Sequence, residues 1–226
     1  MARLTLTFDN GPHPPTTETV LDVLGERGIR ATFFVVGDRL MRPGARGVAV
    51  DARAAGHWIG NHSMHHTVPL GADPDPAHAL AEIVDAEEVI GDLACATPLF
   101  RPFGGGGVLG HHLLSAGAVA HLMAARYTVV TWTSVPRDWE EPVAWVDRAL
   151  GDVAANDWTV LVLHDLPTGA MDGLGSFLDR ATDAGTEIVQ EFPEATLPIV
   201  AGVQRHDLAA ISAVAAPGAP RALGQA

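Results

Sequence analysis

Residues 4–12, Leu-Thr-Leu-Thr-Phe-Asp-Asn-Gly-Pro, join a short apolar segment to a turn that carries an acid and an amide. Leu4–Phe8 has the pattern of a β-strand. A helical pattern follows over Thr17–Arg27 and stops at Gly28, and Ala31–Val36 forms a second strand pattern rich in Phe and Val. A strand, a helix and a strand in succession predict two parallel strands covered by the helix.

The same alternation continues along the chain for about seven strands. The later strand patterns cover residues 57–60, 98–100, 127–131, 159–163 and 187–190. Helical patterns lie between them, including one over Gly110–Ala125. So many strands in a chain of this length favour a closed or nearly closed barrel over an open sheet.

The periodic pattern fades beyond about residue 195. We therefore expect one domain over residues 1–195 and a C-terminal extension over residues 196–226. The end of that extension, Ala215–Ala226, is rich in Ala, Pro and Gly, and we expect it to be mobile.

Composition excludes several classes of function. The chain has 226 residues and a formal net charge of -13, and all 14 of its basic Lys+Arg residues are arginines. The lack of lysine rules out Schiff-base chemistry and a P-loop lysine, and the negative charge argues against a nucleic-acid partner. With Cys95 as the only cysteine, neither an internal disulfide nor a multi-cysteine zinc site can form.

The N-terminal segment shows no secretory signal, and no apolar run is long enough to span a membrane. We therefore expect a cytoplasmic protein with no membrane partner. The sequence leaves the oligomeric state open.

Polar clusters lie at or just beyond the ends of five predicted strands. In chain order they are Asp9-Asn10, Asn61–His66, Arg101–Gly104, Asp138-Trp139 and His164-Asp165. The carboxyl ends of parallel strands meet at one face, and α/β folds carry their chemistry there. The five clusters together therefore predict one shared site.

Each cluster taken alone also has an ordinary structural explanation. Asp9–Pro12 is a good turn sequence, and His164 ends an apolar strand where a buried core histidine is common. His62 and His66 are four residues apart, so both can face one metal ion, but with 11 histidines a chance pair at this spacing is expected. These explanations do not account for the order and conjunction of all five clusters.

As a set, the motifs resemble those of the NodB-homology polysaccharide deacetylases, carbohydrate esterase family 4, over about residues 4–190. The matching segments are Thr7–Pro12 with Thr17, Ala31–Gly37, Gly56–His66, Phe100–Pro102, Asp138-Trp139 and Leu161–His164. The resemblance implies an α/β fold, specifically a distorted (β/α)7 barrel. It also implies hydrolysis of an N-acyl, typically N-acetyl, amide with a divalent metal, usually Zn²⁺, with Co²⁺, Ni²⁺ or Mn²⁺ as other candidates.

The resemblance further implies a role for each matching residue. Asp9 takes the place of the general base, and Arg101 holds its carboxylate. His164 takes the place of the general acid, which Asp138 orients and charges. The metal ligands would be Asn10, His62 and His66, and the substrate pocket would include Trp139, Leu161, Phe103 and Gly104.

Three departures from the family pattern bear on function. Asn10 stands where the family has a second Asp, which is expected to weaken metal binding and leave the metal a stronger Lewis acid. Thr67 replaces the usual proline after the second histidine. The arginine motif has Phe103-Gly104 where the family has a second proline and an aromatic residue, so the oxyanion loop is altered.

Three functions remain open at this point. The first is a metal-dependent hydrolase of an N-acyl amide on a small oligosaccharide or a glycosylated small molecule. The second is a C–N hydrolase of a small non-sugar amide, cyclic imide or ureide. The third is an inactive scaffold or binding module, in which Asn10 has abolished metal binding.

Overall fold

The predicted strands pair side by side as parallel βα units require. A computed structural model describes residues 1–212 of the chain. Its strands are β1 (Arg3–Asp9), β2 (Thr32–Val35), β3 (Trp58–Asn61), β4 (Leu99–Phe100), β5 (Thr128–Val129), β6 (Trp158–His164), β7 (Glu187–Val189), β8 (Ile199–Val200) and β9 (Val203–Gln204). The helices are α1 (Pro14–Glu26), α2 (Gly37–Leu40), α3 (Ala45–Ala54), α4 (Pro76–Ile90), α5 (Ala116–Ala124), α6 (Trp145–Ala155) and α7 (Leu174–Asp183).

The sheet curls into a distorted barrel. Its parallel strands run in the order β6-β1-β2-β3-β4-β5, and β7 pairs with the start of β1. Beyond β5, Ser134 forms a parallel bridge to Leu161 of β6, which links the two ends of this series. This arrangement confirms the predicted α/β fold class, a distorted (β/α)7 barrel.

Strand β1 shows how the sequence separates the two faces of the sheet. Leu4, Leu6 and Phe8 are fully buried in the core between the sheet and helices α1, α3, α6 and α7. Side chains alternate along a strand, so the intervening Thr7 and Asp9 point to the other face, inside the barrel. The threonine and the acid after it therefore reach the interior polar groups described below.

One predicted helix is shorter than its sequence pattern. The pattern begins at Gly110, whereas α5 begins at Ala116, after Ser115 caps it by accepting a hydrogen bond from the Ala118 N–H at 3.1 Å. Leu114 instead forms a β-bridge with Ser212. The residues before Ser115 thus belong to a turn and a bridge.

The first part of the predicted extension joins the sheet. Strand β8 pairs antiparallel with β5 and β9 follows it, and Ile199 is fully buried beside Leu208 and Ile211. The predicted mobile segment Ala215–Ala226 lies outside the described residues. Within residues 1–212, no helix combines the length and apolar character needed to cross a membrane.

Candidate active site

The residues singled out from the sequence meet at one end of the barrel. Asp9 and His164 lie side by side at the ends of β1 and β6, as direct partners in the strand register. A cavity of about 250 Å³ opens there. Eight of the predicted residues line it: Asp9, Asn10, His62, His66, Phe103, Gly104, Trp139 and His164. Arg101 and Asp138 are fully buried behind its wall.

Asp9 and Arg101 form a buried ion pair. The Arg101 Nη1 lies 3.0 Å from the Asp9 Oδ1, and it also donates to the Thr7 hydroxyl at 2.6 Å. The other guanidinium nitrogens donate to the backbone carbonyls of Val130 and Thr131, each at 3.3 Å. A buried charge needs such complete pairing, and the arginine fixes the carboxylate in position.

His62 and His66 are both neutral imidazoles at neutral pH. The pKa of each is lowered to about 3, mainly by burial, and for His66 the neighbouring His62 contributes to this lowering. The Nδ1 of His62 lies 2.8 Å from the Arg101 carbonyl oxygen, so it carries the proton and donates. That leaves the Nε2 lone pair on the side of Asp9, whose Oδ2 is 3.7 Å away. This tautomer is the one a metal-binding histidine adopts.

Asn10 supplies an unusual third group. Its backbone is in the left-handed region, with φ 75°, and its carbonyl oxygen accepts a hydrogen bond from Arg39. Its side-chain Oδ1 is buried and has no hydrogen-bond partner among residues 1–212. Because an orphaned buried acceptor is costly, this atom fits a position that a cation occupies.

The donor set is therefore two neutral imidazoles and one amide oxygen. Among residues 1–212, no three His, Cys, Asp or Glu side chains are arranged to hold a metal ion by themselves. Imidazole and oxygen donors suit Zn²⁺ and neighbouring divalent metals. The residues present thus fit the metal that the sequence resemblance implies, with a ligand set of lower charge.

Asp138 holds both the ring and the backbone of His164. The Nδ1 of His164 lies 2.8 Å from the Asp138 Oδ1, and its backbone N–H donates to the Oδ2 at 2.9 Å. Burial opposes the charged imidazolium, but the hydrogen bond and negative charge of Asp138 outweigh it and raise the pKa of His164. The Trp139 ring packs edge-on against the imidazole, with 4.7 Å between ring centroids.

The other walls of the cavity are apolar. Phe103 stacks on His66 with 4.0 Å between ring centroids, and Trp132, Val135 and Leu166 add to the wall. Four glycines, Gly104–Gly107, complete it. A β-carbon on Gly104 would lie 2.7 Å from the Trp132 ring, so at this position the loop can pack only without a side chain.

The prediction that Leu161 lines the pocket is wrong. Leu161 is fully buried in the outer core between the sheet and the helices, and Val162 faces the cavity instead. Side chains alternate along β6, so the residue on the same face as His164 is the one two positions before it.

The Asp165 side chain supports the turn after Asp9, a position that the sequence analysis did not predict. Its Oδ2 accepts a hydrogen bond from the Thr17 hydroxyl at 2.5 Å, and its Oδ1 is buried without a partner in the described part of the chain. A β-carbon on Gly11 would lie 2.0 Å from this carboxylate, so Asp165 packs directly under the turn that follows Asp9. Burial raises the pKa of Asp165 to about 6. The adjacency of His164 and Asp165 was the available signal.

The fold and the site define an α/β barrel with a buried Asp–Arg pair, a His–Asp pair and two neutral histidines at its strand ends. Comparison with known proteins shows to which family this barrel and site belong. The family model for polysaccharide deacetylase matches residues 2–109. A chitooligosaccharide deacetylase from Bradyrhizobium is 36% identical over 168 residues, which cover 71% of this chain and 69% of the relative.

Two solved structures are also similar. The peptidoglycan deacetylase PdaC from Bacillus subtilis has a TM-score of 0.66 at 30% identity, covering 83% of this chain and 87% of the solved one. By sequence, the match covers only 37% of the full PdaC protein. A family 4 acetyl xylan esterase from Clostridium thermocellum, in complex with a cobalt ion, has a TM-score of 0.63 at 28% identity over 82% of this chain and 86% of that one. The chain belongs to the polysaccharide deacetylase family, carbohydrate esterase family 4.

Proposed function

We propose that the protein is a metal-dependent hydrolase that removes an N-acyl group, typically acetyl, from a sugar or a glycosylated small molecule. The observation that carries this proposal is the meeting of Asp9, His62, His66 and His164 around one cavity. Two of the three similar proteins named above are deacetylases of chitooligosaccharide and peptidoglycan, which supports an amide on an amino sugar as the substrate class.

His62, His66 and Asn10 would hold the metal, with Zn²⁺ as the first candidate and Co²⁺, Ni²⁺ or Mn²⁺ as others. When bound, a divalent metal lowers the pKa of a water molecule and polarises a carbonyl oxygen. Both histidines are already neutral at neutral pH, so no proton has to leave them on binding.

Asp9 accepts the proton of the attacking water. Its carboxylate is fixed by Arg101 beside His62. A backbone N–H in the turn at Phe103 and Gly104 donates to the oxygen that becomes negative as the amide is attacked.

His164 donates a proton to the departing nitrogen. An amine is a poor leaving group until it is protonated, so the reaction needs an acid that remains charged near neutral pH. Asp138 provides for this by raising the pKa of His164. Asp9 and His164 are register partners, which puts the base and the acid on neighbouring strands of one cavity.

A small non-sugar amide remains the second candidate, because the walls of the cavity offer few polar partners. The non-catalytic side chains that line it are Pro102, Phe103, Trp132, Val135, Trp139, Val162 and Leu166. The indole N–H of Trp132 already donates to the Gly107 carbonyl at 2.8 Å. Sugar hydroxyls would therefore depend on the glycine backbone, whereas the aromatic rings suit the CH face of a sugar or an apolar amide equally.

Product formation tests these alternatives, measured as acetate released from the N-acetylated substrates and as ring opening, with loss of the imide absorbance, for the cyclic imides. Metal-free protein is reloaded with Zn²⁺ or Co²⁺ and assayed on N-acetylglucosamine, chitooligosaccharides of two to six units, and a panel of small amides and cyclic imides. Turnover of the sugars that is lost in Asp9→Asn and kept in Asp22→Asn, an exposed control on α1, supports the first proposal. Turnover of the small amides alone favours the second candidate, and protein that binds no metal favours the scaffold. The predicted cytoplasmic location stays a prediction.

A further inference from the structure

A buried carboxylate on α4 holds the turn that carries His62 and His66. Glu82 is 3% exposed. Its Oε2 accepts a hydrogen bond from the backbone N–H of His65 at 2.9 Å, and its Oε1 lies 2.6 Å from the Nδ1 of the same histidine. His65 lies between the two proposed metal ligands in the sequence, so Glu82 is hydrogen-bonded to the segment that joins them.

This turn has a backbone that needs external support. Ser63 and His66 have φ values of 71° and 55°, in the left-handed region that is costly for residues with a β-carbon. Such conformations persist where the surrounding structure fixes them. The Gly37 N–H donates to the Ser63 carbonyl at 3.1 Å and supports the first half of the turn. Glu82 supports the second half, where His66 lies.

The two ligand rings are held in different ways. The ring of His62 is fixed by its own hydrogen bond to the Arg101 carbonyl. The ring of His66 stacks on Phe103. Stacking fixes the tilt of the imidazole ring, but it allows the ring to slide across the face of Phe103. The position of His66 relative to His62 therefore depends on the backbone of the turn, which Glu82 anchors.

We propose that Glu82 is a positioning residue that sets the spacing of His62 and His66 and thereby the metal affinity of the site. This inference rests on the metal site of the proposed function. Partners that orient metal-binding histidines typically contribute about 10- to 100-fold in metal affinity. Glu82 contributes through the backbone of the turn, without touching either ligand ring.

The test compares metal affinity in Glu82→Gln, Glu82→Ala and Glu88→Gln. Glu88 lies on the same helix and is exposed, which makes it a matched control for the loss of one negative charge from α4. The dissociation constant for Zn²⁺ is measured by competition with a chelator, and the absorption spectrum of the Co²⁺-loaded protein reports ligand geometry. Thermal unfolding of the metal-free proteins shows separately how much each change affects the fold.

We expect Glu82→Ala to weaken Zn²⁺ binding by about 100-fold and to change the Co²⁺ spectrum. Glu82→Gln keeps an oxygen for the His65 N–H, so we expect a smaller loss of about 10-fold. Glu88→Gln should match the wild type. If Glu82→Ala does not fold, Glu82→Gln decides.

Wild-type affinity and an unchanged spectrum in the folded Glu82 variants would overturn the role of Glu82 and leave the proposed function intact. A wild-type protein that binds neither Zn²⁺ nor Co²⁺ would overturn the metal site itself, and this inference with it.

Discussion

Two charged pairs lie at the cavity, because Asp9 pairs with Arg101 and Asp138 pairs with His164. Asn10 departs from the family pattern, because it places a neutral amide where the family has an acid. Within residues 1–212, its Oδ1 is buried without a hydrogen-bond partner. A neutral amide tolerates this environment better than a carboxylate, because an unpaired buried charge costs more than an unpaired dipole.

Asn10→Asp should therefore have two opposite effects. The added charge should tighten Zn²⁺ binding by at least about 10-fold, because an anionic oxygen is the stronger ligand. The metal-free variant should unfold at a lower temperature, because the new carboxylate lacks a partner. Chelator competition and thermal unfolding with and without Zn²⁺ measure both effects. Unchanged affinity would mean that Asn10 does not bind the metal.

Asp138→Asn should shift the pH range of catalysis. The hydrogen bond and charge of Asp138 raise the pKa of His164, so the protonated acid persists above its usual pH range. Without that charge the pKa falls, and the alkaline limb of the kcat/KM profile should move to lower pH.

His164→Ala should reduce amide hydrolysis more than hydrolysis of an aryl acetate, whose leaving group needs no proton. Equal losses on both substrates would give His164 a different role.

The free energy of unfolding depends on pH through Asp165. An acid in an ion pair has a lowered pKa and loses stability as the pH falls, whereas Asp165 has a raised pKa and has the opposite effect. Its pKa is about 6 in the folded protein and 3.8 as the reference value, so the folded state binds more protons between these limits. Stability therefore falls as pH rises through this window, by up to about 3 kcal/mol.

Asp165→Asn should remove this dependence. The free energy of unfolding by urea, measured at pH 4 and pH 8, should favour the variant over the wild type by up to about 3 kcal/mol more at pH 8 than at pH 4. His62 and His66 titrate in both proteins and cancel in the difference, whereas His164 cancels only in part, because the charge of Asp165 contributes to its raised pKa. Parallel pH profiles for the two proteins would contradict this account.

At the scale of the elements, the glycine loop is sensitive to an added methyl group where it packs against the cavity wall. Gly107 has φ 82°, and a β-carbon there would lie 2.9 Å from Val135 of the cavity wall. Gly107→Ala should cost about 1–2 kcal/mol of stability and raise KM by displacing that wall. Gly25→Ala in α1, where a β-carbon meets nothing within 4 Å, should be neutral or stabilising by up to about 1 kcal/mol. Urea unfolding and steady-state kinetics on both variants check this, and equal effects would contradict it.

The elements also show what could be predicted from the sequence. Asp9, His62 and His164 could be placed together because each lies at or just after the end of a strand, and parallel strands bring those ends to one face. Leu161 was misplaced by one residue, although the alternation along β6 and the inward position of His164 favoured Val162. Glu82 could not be found, because its partner His65 comes close only through the packing of α4 on the turn.

At the scale of the whole molecule, the sheet extends beyond residue 195, where the sequence pattern fades. Strands β8 and β9 have two residues each, too few to show a periodicity. They continue the sheet beyond β5. Just before them, the Thr196 carbonyl accepts a hydrogen bond from the Thr131 N–H at 2.9 Å, and the carbonyl of the same Thr131 accepts one from Arg101. The chain beyond residue 195 thus contacts the structure that supports the buried ion pair.

A matched pair of substitutions tests whether this segment belongs to the folding unit. Ile199 is fully buried, whereas Val203 on the neighbouring strand is 53% exposed. If residues 199–211 fold together with the barrel, Ile199→Ala should lower the free energy of unfolding by about 2–5 kcal/mol, because it leaves a cavity against the core beside β5. Val203→Ala should change it by less than about 0.5 kcal/mol. A single cooperative urea transition, shifted in Ile199→Ala and not in Val203→Ala, is the expected result. A neutral Ile199→Ala would instead support a domain that ends near residue 195 with a separate extension, because a segment outside the cooperative unit cannot change the midpoint of its unfolding.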